Sequence, residues 1–131
     1  PALDYHSEAL KIAYSVINPS NTVNRSIAVS QNSIGNIYLA LKQYDLAISQ
    51  FNKSLEIEKK ADNKLGLAIN YHNIGYAEEA KGNLDSALVN YEKSLDYNNA
   101  IDSEIGRVIC ENSIGGIYLK KENYKEAEPI R

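Results

Sequence analysis

The sequence predicts an all-α solenoid of stacked antiparallel helix hairpins, and three observations predict it. Segments beginning at Ser30, Asn70 and Cys110 align without gaps, and their glycines Gly35, Gly75 and Gly115 are separated by 75−35 and 115−75, which is 40 both times. Within each segment apolar residues recur at the three- and four-residue spacing of a helix buried on one face. A short polar turn divides each segment, so that one period holds two helices.

In chain order, Leu3 to Ile17 carry Ala9, Leu10, Ala13 and Ile17 on one face and end at Asn18-Pro19-Ser20. Residues 1–18 are expected to be the second helix of a preceding, truncated repeat. The first full unit, 22–61, places Ile27, Ile34, Tyr38 and Leu41 on the buried stripe of its first helix, turns at Lys42-Gln43, and buries Ala47, Phe51 and Leu55 from its second. Residues 62–101 repeat the plan with Ile74, a turn at Lys81-Gly82-Asn83, then Ala87 and Tyr91. Residues 102–131 repeat it again with Ile114, Tyr118, a turn at Lys121-Glu122-Asn123 and Ala127, as an incomplete third unit. Glycine inside a helix costs about 1 kcal/mol relative to alanine. A close approach by the partner helix, through Ala47 and its equivalents, is the expected compensation, with Phe51 or Tyr91 filling the space beyond.

An apolar-Gly pair, an aromatic three residues on, and Ala-x-x-x-aromatic in the second helix make the units resemble tetratricopeptide repeats (TPRs). Two features depart from the usual pattern: the period is 40 rather than about 34, and Gln31, Tyr71 and Glu111 stand where tryptophan is frequent. The longer period resembles the extended-repeat branch found in bacterial regulators, kinesin light chains and cell-polarity adaptors. The resemblance implies a right-handed α–α superhelix over 1–131, read as one domain and as a piece of a larger protein. It also implies a concave groove lined by first helices, and a protein or extended peptide as the partner.

Composition narrows the function. The 14 basic and 17 acidic residues give a net charge of −3 and are scattered, with no basic block to grip phosphates, so nucleic acid is not an expected partner. No run approaches the roughly 20 apolar residues of a membrane span, and no membrane contact is expected of this segment. One cysteine, Cys110, and two histidines, His6 and His72, supply neither a disulfide framework nor a metal-ligand spacing, and no cofactor is expected. Cys110 reads as a small core residue. Asn24-Arg25-Ser26 and Asn52-Lys53-Ser54 match a glycosylation sequon by chance. A cytoplasmic setting is expected, or a periplasmic one if preceding residues carry a signal.

Opposite the buried stripe, helical spacing places Val29, Asn32, Asn36 and Leu39 in the first unit. Ile69, His72, Tyr76 and Glu79 follow in the second, and Ile109, Asn112, Gly116 and Leu119 in the third, flanked by Ser33, Asn73 and Ser113. Asparagine amides can donate to a peptide carbonyl and accept from its N–H together. By resemblance, Asn32, Asn36, Asn73 and Asn112 are the candidate backbone readers, with His72 and Tyr76 beside them in the groove. A histidine so placed is ordinarily solvated. The basic clamp some TPRs use for a C-terminal carboxylate has only Lys120 nearby. Adjacent carboxylates such as Glu78 and Glu79 are ordinarily surface residues, and no acid, base and nucleophile set is assembled, so an enzyme is not expected. The readings that stand are a peptide-binding scaffold and, compatible with it, the sensory part of a bacterial signal-transduction protein with its output domain elsewhere. Self-association through uncapped ends is a further expectation.

Overall fold

Four turns built alike divide residues 21–127. In each, a residue in the left-handed region ends a helix: Lys42 (φ 61°), Asp62 (φ 50°), Gly82 (φ 90°) and Asp102 (φ 55°). The next residue's N–H returns to a carbonyl five residues back: Gln43 to Tyr38, Asn63 to Glu58, Asn83 to Glu78 and Ser103 to Asn98. This Schellman closure satisfies carbonyls the helix end would otherwise orphan and reverses the chain within three residues.

The computed structural model describes residues 21–127 as five consecutive helices: α1 (Asn21–Ala40), α2 (Tyr44–Lys60), α3 (Lys64–Lys81), α4 (Leu84–Ala100) and α5 (Glu104–Ala127). The expected helix over Leu3–Ile17, and with it His6, lies outside the described residues. Each helix packs chiefly on its neighbours in sequence, and α1 also touches α3 directly. This is a solenoid: α1 with α2 and α3 with α4 form hairpins, and α5 opens the next unit.

The core forms where units meet. Ala47, Phe51 and Leu55 of α2 pack with Leu67, Tyr71 and Ile74 of α3, while Leu84, Ala87 and Tyr91 of α4 pack with Ile117 of α5. The glycines are pressed by rings more than by alanines: a Cβ on Gly35 would lie 2.5 Å from the Phe51 ring, and one on Gly75 2.7 Å from the Tyr91 ring. A second glycine of the repeat escaped sequence reading. Gly66 and Gly106, also 40 apart, lie under the side chains of Glu58 and Asn98.

Four expectations change. No turn forms at Lys121-Glu122-Asn123; α5 runs through it to Ala127. The left-handed residue that ends a helix at the other turns has no counterpart at 121–123. A Cβ on Gly115 meets nothing within 4 Å, and Tyr118, expected in the core, is 55% exposed. Leu41, expected on the buried stripe, is exposed because it already belongs to the turn. Leu39, expected in the groove, is partly buried against the first core cluster.

Candidate functional site

The faces of α1, α3 and α5 that no second helix covers carry the predicted stripe. One repeat position, Val29, Ile69 and Ile109, is a β-branched aliphatic exposed by 62%, 45% and 48% in three successive first helices. Such residues are ordinarily interior, and their periodic exposure marks a surface rather than a packing fault. Asn36, Tyr76 and Asn112 are also exposed, and Asn32, His72 and Asn73 are half-buried.

The asparagines are joined inward. Asn36 Nδ2 donates to Asn32 Oδ1 at 3.1 Å, and Asn32 Nδ2 donates to Asn70 Oδ1 at 2.8 Å. Asn70 Nδ2 donates to Ser54 Oγ at 2.9 Å, and Ser54 Oγ donates to the Ala28 carbonyl at 2.7 Å. A continuous relay thus runs from the groove surface to the buried α1–α2 seam and ties three helices. Asn70, 1% exposed, was missed in sequence because it fell between the buried and exposed stripes. Its equivalence to Cys110 in the 40-residue spacing was the available signal.

In the next unit the same positions are filled differently. Ser94 Oγ donates to the Ala68 carbonyl at 2.7 Å, repeating Ser54 and Ala28, but Cys110 stands where Asn70 stood and donates Sγ–H to Ser94 Oγ at 3.2 Å. Asn98 donates to the Ser94 carbonyl at 3.0 Å and lies 3.4 Å from Cys110 Sγ. Cys110 is 1% exposed, a core residue as expected.

His72 is not the solvated histidine expected. Its Nε2 pairs with Ser113 Oγ of α5 at 3.1 Å, and its ring tilts against Tyr91 with centroids 5.1 Å apart. Burial lowers its pKa below the ordinary 6.5, and the Glu79 carboxylate only partly offsets this. Glu78 and Glu79 are likewise largely covered. Glu79 accepts from the Tyr91 hydroxyl at 2.7 Å and pairs with Lys120, and Glu78 lies 3.9 Å from Lys81. Burial, then Glu79, pushes the Tyr91 phenol above its usual range. With Lys120 held by Glu79, the one basic residue near the stripe is already neutralised. Lys81 pairs with Asp45, and Lys121 with Asp85 at the same repeat position; the hydrogen bond to Asp45 raises the Lys81 pKa.

Between α3 and α5, over α4, the groove deepens into a cleft of about 360 Å³. Leu65, Ile69, Ile105 and Ile109 form its apolar walls, His72 and Asn73 lie at its side, and Ser94, Asn98 and Cys110 form its floor. Among the described residues, no group of His, Cys, Asp and Glu could hold a metal ion, and no helix is long and apolar enough to cross a membrane.

Residues 26–100 match the family model of the tetratricopeptide repeat. Comparison with curated proteins gives no significant match.

Proposed function

The chain belongs to the tetratricopeptide-repeat family, whose repeats are generally protein-interaction modules, and from that premise we propose that it is a non-catalytic scaffold holding an extended polypeptide along the α1, α3 and α5 face. The observation that supports this most is the periodic exposure of Val29, Ile69 and Ile109 beside Asn36, Tyr76 and Asn112. Aliphatic exposure is costly in water and is relieved when a partner covers it, at about 25 cal/mol per Å². The neighbouring amides and the Tyr76 hydroxyl then supply hydrogen bonds to a peptide backbone that would otherwise lose its own to water. Asn32, His72 and Asn73 act here mainly by fixing the groove wall, since Asn32 and His72 already spend hydrogen bonds within the protein. On this reading the chain is of the extended branch of the family, which the 40-residue period supports.

The test is binding to a library of extended peptides by the chain and by an Asn36→Ala/Tyr76→Ala/Asn112→Ala variant. All three positions are exposed, so circular dichroism should show helicity retained. Affinity should fall at least tenfold in the folded variant, a loss of about 1.4 kcal/mol or more. Undiminished binding would move the interaction to another face.

A further inference from the structure

The cleft between α3 and α5 arises from two changes within the repeat. In the α1–α2–α3 seam, Glu58 and Asn70 occupy the positions that Asn98 and Cys110 occupy in the α3–α4–α5 seam, 40 residues later. The longer side chains fill the first seam. Glu58 is 5% exposed and receives the Asn63 amide at 3.2 Å, while Asn70 reaches across to Asn32 and closes α1 onto α3. In the second seam both side chains are shorter. Cys110 has no amide to extend toward α3; its thiol turns down onto Ser94, and Asn98 turns to Ser94 and Cys110. On the groove side α3 and α5 are joined by His72 with Ser113 and by Glu79 with Lys120. The space left is the 360 Å³ cleft.

Charge selects the occupant. None of the residues lining the cleft is charged. Of the nearby cations, Arg107 pairs with Asp102 and Lys120 with Glu79, and Lys64, next to Leu65, is exposed to solvent and not part of the lining. No cation lines the cleft to hold a carboxylate or phosphate within it, and a buried uncompensated charge would be costly. The walls are aliphatic, with Leu65 51% and Ile105 77% exposed at the mouth.

We propose that the α3–α5 cleft is a side-chain pocket that takes one uncharged aliphatic or aromatic residue of a bound polypeptide and so sets its register along the groove. This rests on the groove-binding reading and adds the position and class of the selected residue. The α1–α3 seam, already filled by Asn70 and Glu58, selects nothing comparable.

The test uses a positional library of acetylated, amidated hexapeptides, in which each position in turn is fixed as each amino acid. It is read against the chain and against a Cys110→Asn/Asn98→Glu variant, which restores the residues filling the first seam. Gly106 leaves the same space beside Asn98 that Gly66 leaves beside Glu58, so the variant should fold. The expected result is one position that favours Leu, Ile, Met or Phe over Asp, Glu and Lys by tenfold or more, and loss of that preference in the filled variant while weaker binding persists. A second variant, Leu65→Gln/Ile105→Gln, alters exposed mouth residues only and should weaken the same preference. Peptides that bind with no favoured apolar position, or with a preference the filled variant retains, would overturn the pocket and leave groove binding standing. No binding by any peptide would defeat both. Sedimentation velocity on the same samples reads the remaining occupant: dimerisation of the chain alone that the filled variant abolishes would put a second copy in the cleft and overturn the proposal.

Discussion

A Cβ on Gly35 or Gly75 would strike the ring of Phe51 or Tyr91, with the Ala87 carbonyl also 3.2 Å from the Gly75 position, whereas at Gly115 it would enter open space. One substitution at one repeat position should therefore change sign. Gly75→Ala is expected to destabilise by about 1–3 kcal/mol through overpacking, and Gly115→Ala to stabilise by up to about 1 kcal/mol through helix propensity. Urea denaturation followed by circular dichroism measures both. Destabilisation of similar size at the two sites would contradict the observed end of hairpin packing. The left-handed turn residues give a second contrast: Lys42→Gly relieves a side chain at φ 61° and should stabilise by about 1 kcal/mol. Gly82→Ala, at φ 90°, should cost about as much. His72 adds a pH dependence. Its folded-state pKa is lowered, so between that value and 6.5 the unfolded chain binds more protons. Stability from this group is complete above 6.5 and is lost as pH falls toward the folded-state pKa. Thermal melts from pH 7.5 to 5.5 should show a smaller acid-induced fall for His72→Asn, the residue the first unit carries at this position.

At the scale of the helix, Ser54 and Ser94 connect elements more than they occupy space. Ser54 Oγ links α2 to the Ala28 carbonyl of α1 and receives Asn70 of α3, so Ser54→Ala removes the link to α1 and leaves the Asn70 donor unpaired in a buried seam. The expected cost is about 1–3 kcal/mol. A denaturation midpoint unchanged in Ser54→Ala would contradict the relay's structural role. The five helices and their order were legible in the sequence because amphipathic spacing and a repeated glycine are local signals. The length of α5 was not. A turn at Lys121-Glu122-Asn123 reads like the turns at Lys42 and Gly82, but none of its residues takes the left-handed conformation that ends those helices. Tyr118 was misplaced because helical spacing assigns a face without saying whether another helix covers it, and Leu41 because it already belongs to the turn.

For the molecule as a whole, exposed Asn36, Tyr76 and Asn112 were legible as a stripe because helical spacing sets them on the face opposite the buried one. The cleft was not, because it depends on differences between repeats, Cys110 for Asn70 and Asn98 for Glu58, that alignment treats as noise. Two repeats that share a backbone plan thus present different surfaces: a closed, hydrogen-bonded seam beside α1 and an open apolar one beside α5. A polypeptide laid across them would meet amides first and then the cleft. Amide chemical-shift mapping during titration with a library-selected peptide tests this most directly. The account predicts shifts clustered at Val29, Asn36, Ile69, Tyr76, Ile109 and Asn112 on the three first helices; shifts confined to the outer faces of α2 and α4 would contradict it.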